Sequence, residues 1–71
     1  MEKELINLYE ANDIEIYFYD NEVIFVKNDI ITYLDPNSLM ESIQLIHMMK
    51  KVGIGEIERG RVMSRILDLV G

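Results

Sequence analysis

Apolar positions along the chain follow two different spacings, one typical of strands and one typical of helices. Between Ile14 and Leu34, short runs rich in aromatic and β-branched residues alternate in three segments, separated by Asp20-Asn21 and Asn28-Asp29. Asn and Asp tolerate the left-handed backbone that two-residue hairpin turns require. The pattern therefore predicts a three-stranded antiparallel meander.

Helical spacing flanks this predicted sheet on both sides. Residues 2–11 place Leu5, Leu8 and Tyr9 on one side, with acids in the first turn, and predict an N-terminal helix that Asn12-Asp13 ends. After Asp35-Pro36 the spacing predicts a helix to about residue 51, a stop at Gly53, and a last helix over residues 56–69. We expect a single α+β domain over residues 1–71, in the order α-β-β-β-α-α.

Two-residue turns fix which face of the sheet each strand residue occupies. One predicted face is a core face, formed by Ile14, Ile16, Phe18, Val23, Phe25, Ile30 and Leu34. The other is also largely apolar, although an antiparallel sheet with one wet side alternates apolar and polar residues. The protein's own helices, a second copy of the chain or a different protein must cover it, and tyrosine suits a protein interface. The expected interface residues are Tyr17, Tyr19, Ile24, Val26, Ile31 and Tyr33.

The predicted helix after Pro36 adds to the apolar surplus. It is apolar around most of its circumference between Leu39 and Val52. A helix of this kind is buried on several sides, and a chain of 71 residues offers little protein to bury it. A two-fold homodimer would supply the missing surface, so we expect self-association.

Candidate chemistry is sparse. The chain has no cysteine and a single histidine, His47, which lies between apolar neighbours. One histidine without cysteines or clustered acids does not make a zinc site, and Gly53-Ile54-Gly55 lacks the lysine of a phosphate loop. We expect a protein that is not an enzyme and uses neither cofactor nor metal.

Charge leads to two alternatives. The net charge is −6; residues 1–49 hold ten acids and two bases, whereas residues 50–71 hold five bases and three acids. The basic residues accompany the last two predicted helices, a pair similar to a helix-turn-helix, so a DNA-binding regulator is one alternative. Its candidate contacts are Lys50, Lys51, Arg59, Arg61 and Arg65. The acidic remainder disfavours nucleic acid, because phosphate neutralisation carries much of that binding energy. The other alternative is a phage or mobile-element inhibitor that imitates nucleic-acid charge.

No apolar run is long enough to cross a bilayer. The longest runs have four residues, whereas a membrane-spanning helix needs about twenty. The acids near the first residue also disfavour a signal peptide. The expectation is a small acidic cytoplasmic protein that forms a homodimer and binds an unidentified protein. It would modulate that protein, with inhibition as one form of modulation.

Overall fold

Four antiparallel strands followed by two helices make up the computed structural model, which describes residues 3–70. The elements are β1 (Ile6–Ala11), β2 (Ile14–Tyr19), β3 (Glu22–Lys27), β4 (Ile30–Leu34), α1 (Leu39–Lys51) and α2 (Glu56–Val70). The strands pair in sequence order, β1-β2-β3-β4. The fold is α+β, but the predicted order α-β-β-β-α-α is wrong, because the first element is a fourth strand.

A β-bulge accounts for the error at the N-terminal end. Asn7 pairs with Tyr17 and Tyr9 pairs with Ile16, so Leu8 is the extra residue on β1. The bulge lets the adjacent residues Leu8 and Tyr9 both pack against the core, which imitates helical spacing in the sequence. The Asn12-Asp13 step, interpreted as a helix stop, is the turn that joins β1 to β2. Glu2, the first residue of the predicted helix, lies outside the described residues.

The other strands have the predicted limits and register. Phe18 pairs with Val23 across the turn between β2 and β3, and Val23 pairs with Leu34 across the turn between β3 and β4. All the central residues of the two later turns have positive φ, as the left-handed conformation requires: Asp20 51°, Asn21 62°, Asn28 50° and Asp29 65°. The turn chemistry predicted from the sequence is therefore confirmed.

Helix α1 has a capping residue at its start and, at its end, the glycine stop that the sequence predicts. The Ser38 side chain accepts from the N–H of Glu41 at the start of α1. At its end, Gly53 has a φ of 89° and donates to the Lys50 carbonyl, while the N–H of Ile54 donates to the Met49 carbonyl. These two bonds form a Schellman motif, and the turn that follows leads directly into α2.

The core lies between the helix pair and one face of the sheet. Leu45 and Met49 of α1 and Val62 and Ile66 of α2 are buried against that face. The sheet contributes Ile14, Ile16, Phe18, Val23, Phe25 and Leu34. The prediction that Ile30 also belongs to the core is wrong, because it lies on the same face but at the margin of an open groove and is 70% exposed.

Candidate interaction surface

The opposite face of the sheet is left without a helix, because α1 and α2 pack on the same side. We call it the open face, defined by Tyr17, Tyr19, Ile24, Val26, Ile31 and Tyr33. Three of these residues are exposed: Tyr33 at 61%, Ile31 at 54% and Tyr19 at 39%. The other three are half-buried by their neighbours. The structure thus brings all the predicted interface residues onto one surface.

Cross-strand pairing makes the open face contiguous. Tyr17 lies opposite Ile24, and Ile24 lies opposite Tyr33, which gives an aromatic and aliphatic row over β2, β3 and β4. Val26 and Ile31 form the next row. Residues directly opposite on antiparallel strands have side chains in contact range, so these rows form one apolar patch.

Acids border this patch. Glu10 lies directly opposite Glu15, and Glu22 lies opposite Tyr19. The hydroxyl of Tyr17 donates to Oε1 of Glu15 at 2.8 Å, and this bond raises the pKa of Tyr17, with further contributions from partial desolvation and from the charges of Glu15 and Glu10. No Lys or Arg occupies an open-face position of the described strands. A ligand of this surface would therefore meet an apolar centre with a negative border.

The outer surface of the helix pair carries further exposed apolar side chains. The sequence predicts an α1 buried on several sides, whereas only Leu45 and Met49 of this helix are fully buried. The exposed apolar residues of the pair include Leu39, Met40, Ile43, Ile46, Ile57 and Leu67. The apolar surplus predicted for the helices thus lies at the surface of the single chain.

The candidate nucleic-acid contacts are largely engaged within the protein. Arg59 donates to the Ile54 carbonyl at 2.6 Å, and Arg65 donates to the Asn7 carbonyl at 3.4 Å. Arg61 pairs with Glu58 at 3.2 Å, one turn away on the same helix. Lys50 and Lys51 are exposed in the last turn of α1. Arg59 therefore contacts the loop between α1 and α2, Arg65 contacts the β1 edge, and Arg61 forms an ion pair within α2.

Residues 3–70 bring no cluster of potential metal ligands together. His47 is exposed on α1, and within these residues no three His, Cys, Asp or Glu side chains converge as metal ligands. No helix among the described elements has the length and apolarity needed to span a bilayer.

Two surface features escaped the sequence analysis. The opposed pair Glu10 and Glu15 does not follow from the sequence pattern, because that pattern predicts a helix where β1 lies. A groove of about 320 Å³ between α1 and the free edge of β4 was also missed, although Ile30, Thr32 and Met48, which line it, stand in elements that the sequence predicts. Only the relative placement of helix and strand creates that groove.

Comparisons with models of protein families, with curated proteins and with solved structures found no match for this chain.

Proposed function

We propose that the protein is a non-enzymatic interaction module, a small acidic homodimer that binds and modulates another protein through its open face. The observation that supports this proposal most directly is the one-sided placement of the helices. They cover one face of the sheet and leave six apolar or aromatic residues on the other. A contiguous apolar patch on the surface of a small protein is typical of an interaction site.

The composition of the open face suits a protein ligand. Tyr17, Tyr19 and Tyr33 offer rings that bury well and hydroxyls that tolerate a wet rim, a combination enriched at protein interfaces. Glu10, Glu15 and Glu22 border the patch. Charge complementarity therefore favours a partner with an apolar centre surrounded by basic side chains.

Nucleic acid is a poorer candidate for the ligand. A binding surface for phosphates needs cations that are free to meet them, and three of the five candidate residues, Arg59, Arg61 and Arg65, hold groups of their own chain. The net charge of −6 adds long-range repulsion. The absence of cysteine is compatible with a reducing compartment, and we propose the cytoplasm as the location.

Capture from native-host extract, with the chain immobilised, tests the proposal. Wild type and Ile57→Lys are expected to retain the same protein, because Ile57 lies on α2 away from the open face and is already exposed. Ile24→Lys puts a cation at the centre of the patch and should lose the captured protein. Binding of the purified partner should weaken as salt is raised, because acidic and basic groups meet at the rim.

Two results would contradict this assignment. One is capture by Ile24→Lys that equals capture by wild type, with both variants folded by circular dichroism. The other is a captured partner that Ile57→Lys loses and Ile24→Lys keeps, which would move the binding surface to the helices.

A further inference from the structure

The two edges of the sheet differ in how they are protected. At the β1 edge the chain is bulged at Leu8 and carries the charged residue Glu10, and the guanidinium of Arg65 donates to the Asn7 carbonyl. Bulges and charges are the usual devices that prevent edge-to-edge pairing. The β4 edge, Ile30–Leu34, has neither charge, proline nor bulge. The β4 edge can therefore form backbone hydrogen bonds with another strand.

The hairpin geometry tells which backbone groups of β4 point outward. A two-residue turn is closed by a hydrogen-bonded pair, here Lys27 and Ile30, and hydrogen bonding to β3 then alternates along the strand. The N–H and C=O groups of Ile31 and Tyr33 consequently point away from β3. Neither residue has a hydrogen bond outside the sheet ladder in residues 3–70. The N–H of Asp35 donates to Oε1 of Glu41 at 3.0 Å, which ends the free stretch.

We propose that a second copy of this chain pairs antiparallel with β4 about a two-fold axis at Thr32. Ile31 of each copy exchanges both backbone hydrogen bonds with Tyr33 of the other, and the sheet doubles from four strands to eight. On the open face this register sets an aromatic ring beside a β-branched side chain, a favourable cross-strand pair. This inference rests on the homodimer of the proposed function, and it identifies β4 as the strand through which the two copies meet.

The two ends of β4 are complementary in charge. The groove at its first end is lined by Lys27 and Lys51, together with Ile30. Its last residue, Leu34, lies in a concavity with Asp35 and Glu41. Antiparallel pairing places the first end of one copy against the last end of the other, so the lysines meet the carboxylates. The turn residue Asp29 is two positions after Lys27 in the sequence but does not line this groove.

Exposed apolar side chains also lie near the two ends of β4 and would meet in the dimer. Met48 lines the groove beside β4, and helical spacing puts Gln44 and Met40 along the same flank of α1. Met40 is 81% exposed, and Ile30, at the opposite end of β4, is 70% exposed. The two-fold axis brings Ile30 of one copy to the end of the other copy where Met40 lies. Both side chains then lose contact with water, which favours association.

Edge pairing leaves the open face available. Two sheets joined edge to edge keep their open faces on one side, so the dimer presents a continuous surface twice as wide to a partner. A face-to-face dimer would bury that surface instead. The edge contact therefore allows self-association and partner binding at the same time.

A cysteine placed on the axis provides the sharpest test, because the natural chain has none. Thr32 faces Thr32 of the second copy in a pair without hydrogen bonds, whose Cα atoms lie about 4.5 Å apart, within the range of a disulfide. Oxidised Thr32→Cys should migrate as a cross-linked dimer on a non-reducing gel. The matched control is Ile30→Cys on the same face; its two copies would be about 14 Å apart and should not cross-link.

A proline substitution tests the same contact without a covalent cross-link. Ile31→Pro removes an outward N–H and keeps the ladder to β3, whereas Ile31→Ala shortens the side chain and keeps the N–H. Light scattering should show the mass of a monomer for Ile31→Pro and of a dimer for Ile31→Ala, with dissociation at least about tenfold easier for the proline variant. Ile31→Lys is the second variant, for use if circular dichroism shows that the proline variant is unfolded.

The outcomes separate the two proposals. A dimer that Tyr17→Glu dissociates and Ile31→Pro does not would overturn edge pairing and leave the homodimer in place. A wild-type monomer at high concentration would overturn both self-association and its edge contact, while partner capture through Ile24 would still decide the open-face proposal. Loss of partner capture by Ile31→Pro from a monomeric wild type would assign β4 to a strand of the partner, which also overturns the second copy as its occupant.

Discussion

Tyr17 and Glu15 form the shortest side-chain hydrogen bond of the open face, with 2.8 Å between the phenol oxygen and Oε1. Because a carboxylate accepts from the protonated phenol, the bond raises the pKa of Tyr17 above its ordinary value of 10.0. Glu15→Gln should lower the pKa of Tyr17 toward that value, because the amide carries no charge to oppose the phenolate. Titration of the tyrosine ring carbons by NMR measures the change.

The same contact has a defined effect on stability. The folded state holds the Tyr17 proton more tightly than the unfolded chain does, so the contribution is complete below pH 10.0 and declines as the pH rises through the folded pKa. Glu22→Gln is the control, because Glu22 pairs with Tyr19 and should leave the pKa of Tyr17 unchanged. An unaltered Tyr17 titration in Glu15→Gln would show that the bond does not persist in solution.

At the scale of elements, turn chemistry was predictable and the bulge was not. Asp20-Asn21 and Asn28-Asp29 fixed the register of three strands because few residues other than Gly, Asn and Asp accept positive φ. Over residues 6–11, Leu8 and Tyr9 lie on the same side whether the segment is a helix or a bulged strand. Only pairing with β2 separates these cases, and local spacing does not report pairing.

Two glycines of the helical region, Gly53 and Gly60, should respond in opposite ways to alanine. Gly53 has a φ of 89° at the end of α1, so Gly53→Ala is strained and should lower the free energy of unfolding by about 1 kcal/mol. Gly60 lies inside α2 with no atom within 4 Å of an added Cβ, so Gly60→Ala should raise it by about 0.5–1 kcal/mol. Urea unfolding measures both. A stabilised Gly53→Ala would contradict the Schellman ending.

At the scale of the whole molecule, the limit of prediction was the placement of the helices. The sequence indicates two largely apolar sheet faces, and with three predicted helices both faces could be covered from within. Two helices exist among the described residues, and they share one core. The composition of the open face was therefore predictable, whereas its exposure depended on the identity of the first element.

Adjacent aromatic residues on opposite faces test this asymmetry. Phe18 is 7% exposed among core residues, and Tyr19 is 39% exposed on the open face. Phe18→Ala removes a buried ring and should cost about 3–5 kcal/mol, whereas Tyr19→Ala should cost about 1 kcal/mol or less. Urea unfolding at low protein concentration, where a dimer dissociates, compares the two variants. Equal losses would mean that the chain itself covers the second face; a large cost for Tyr19→Ala only at high concentration would mean that a second copy covers it.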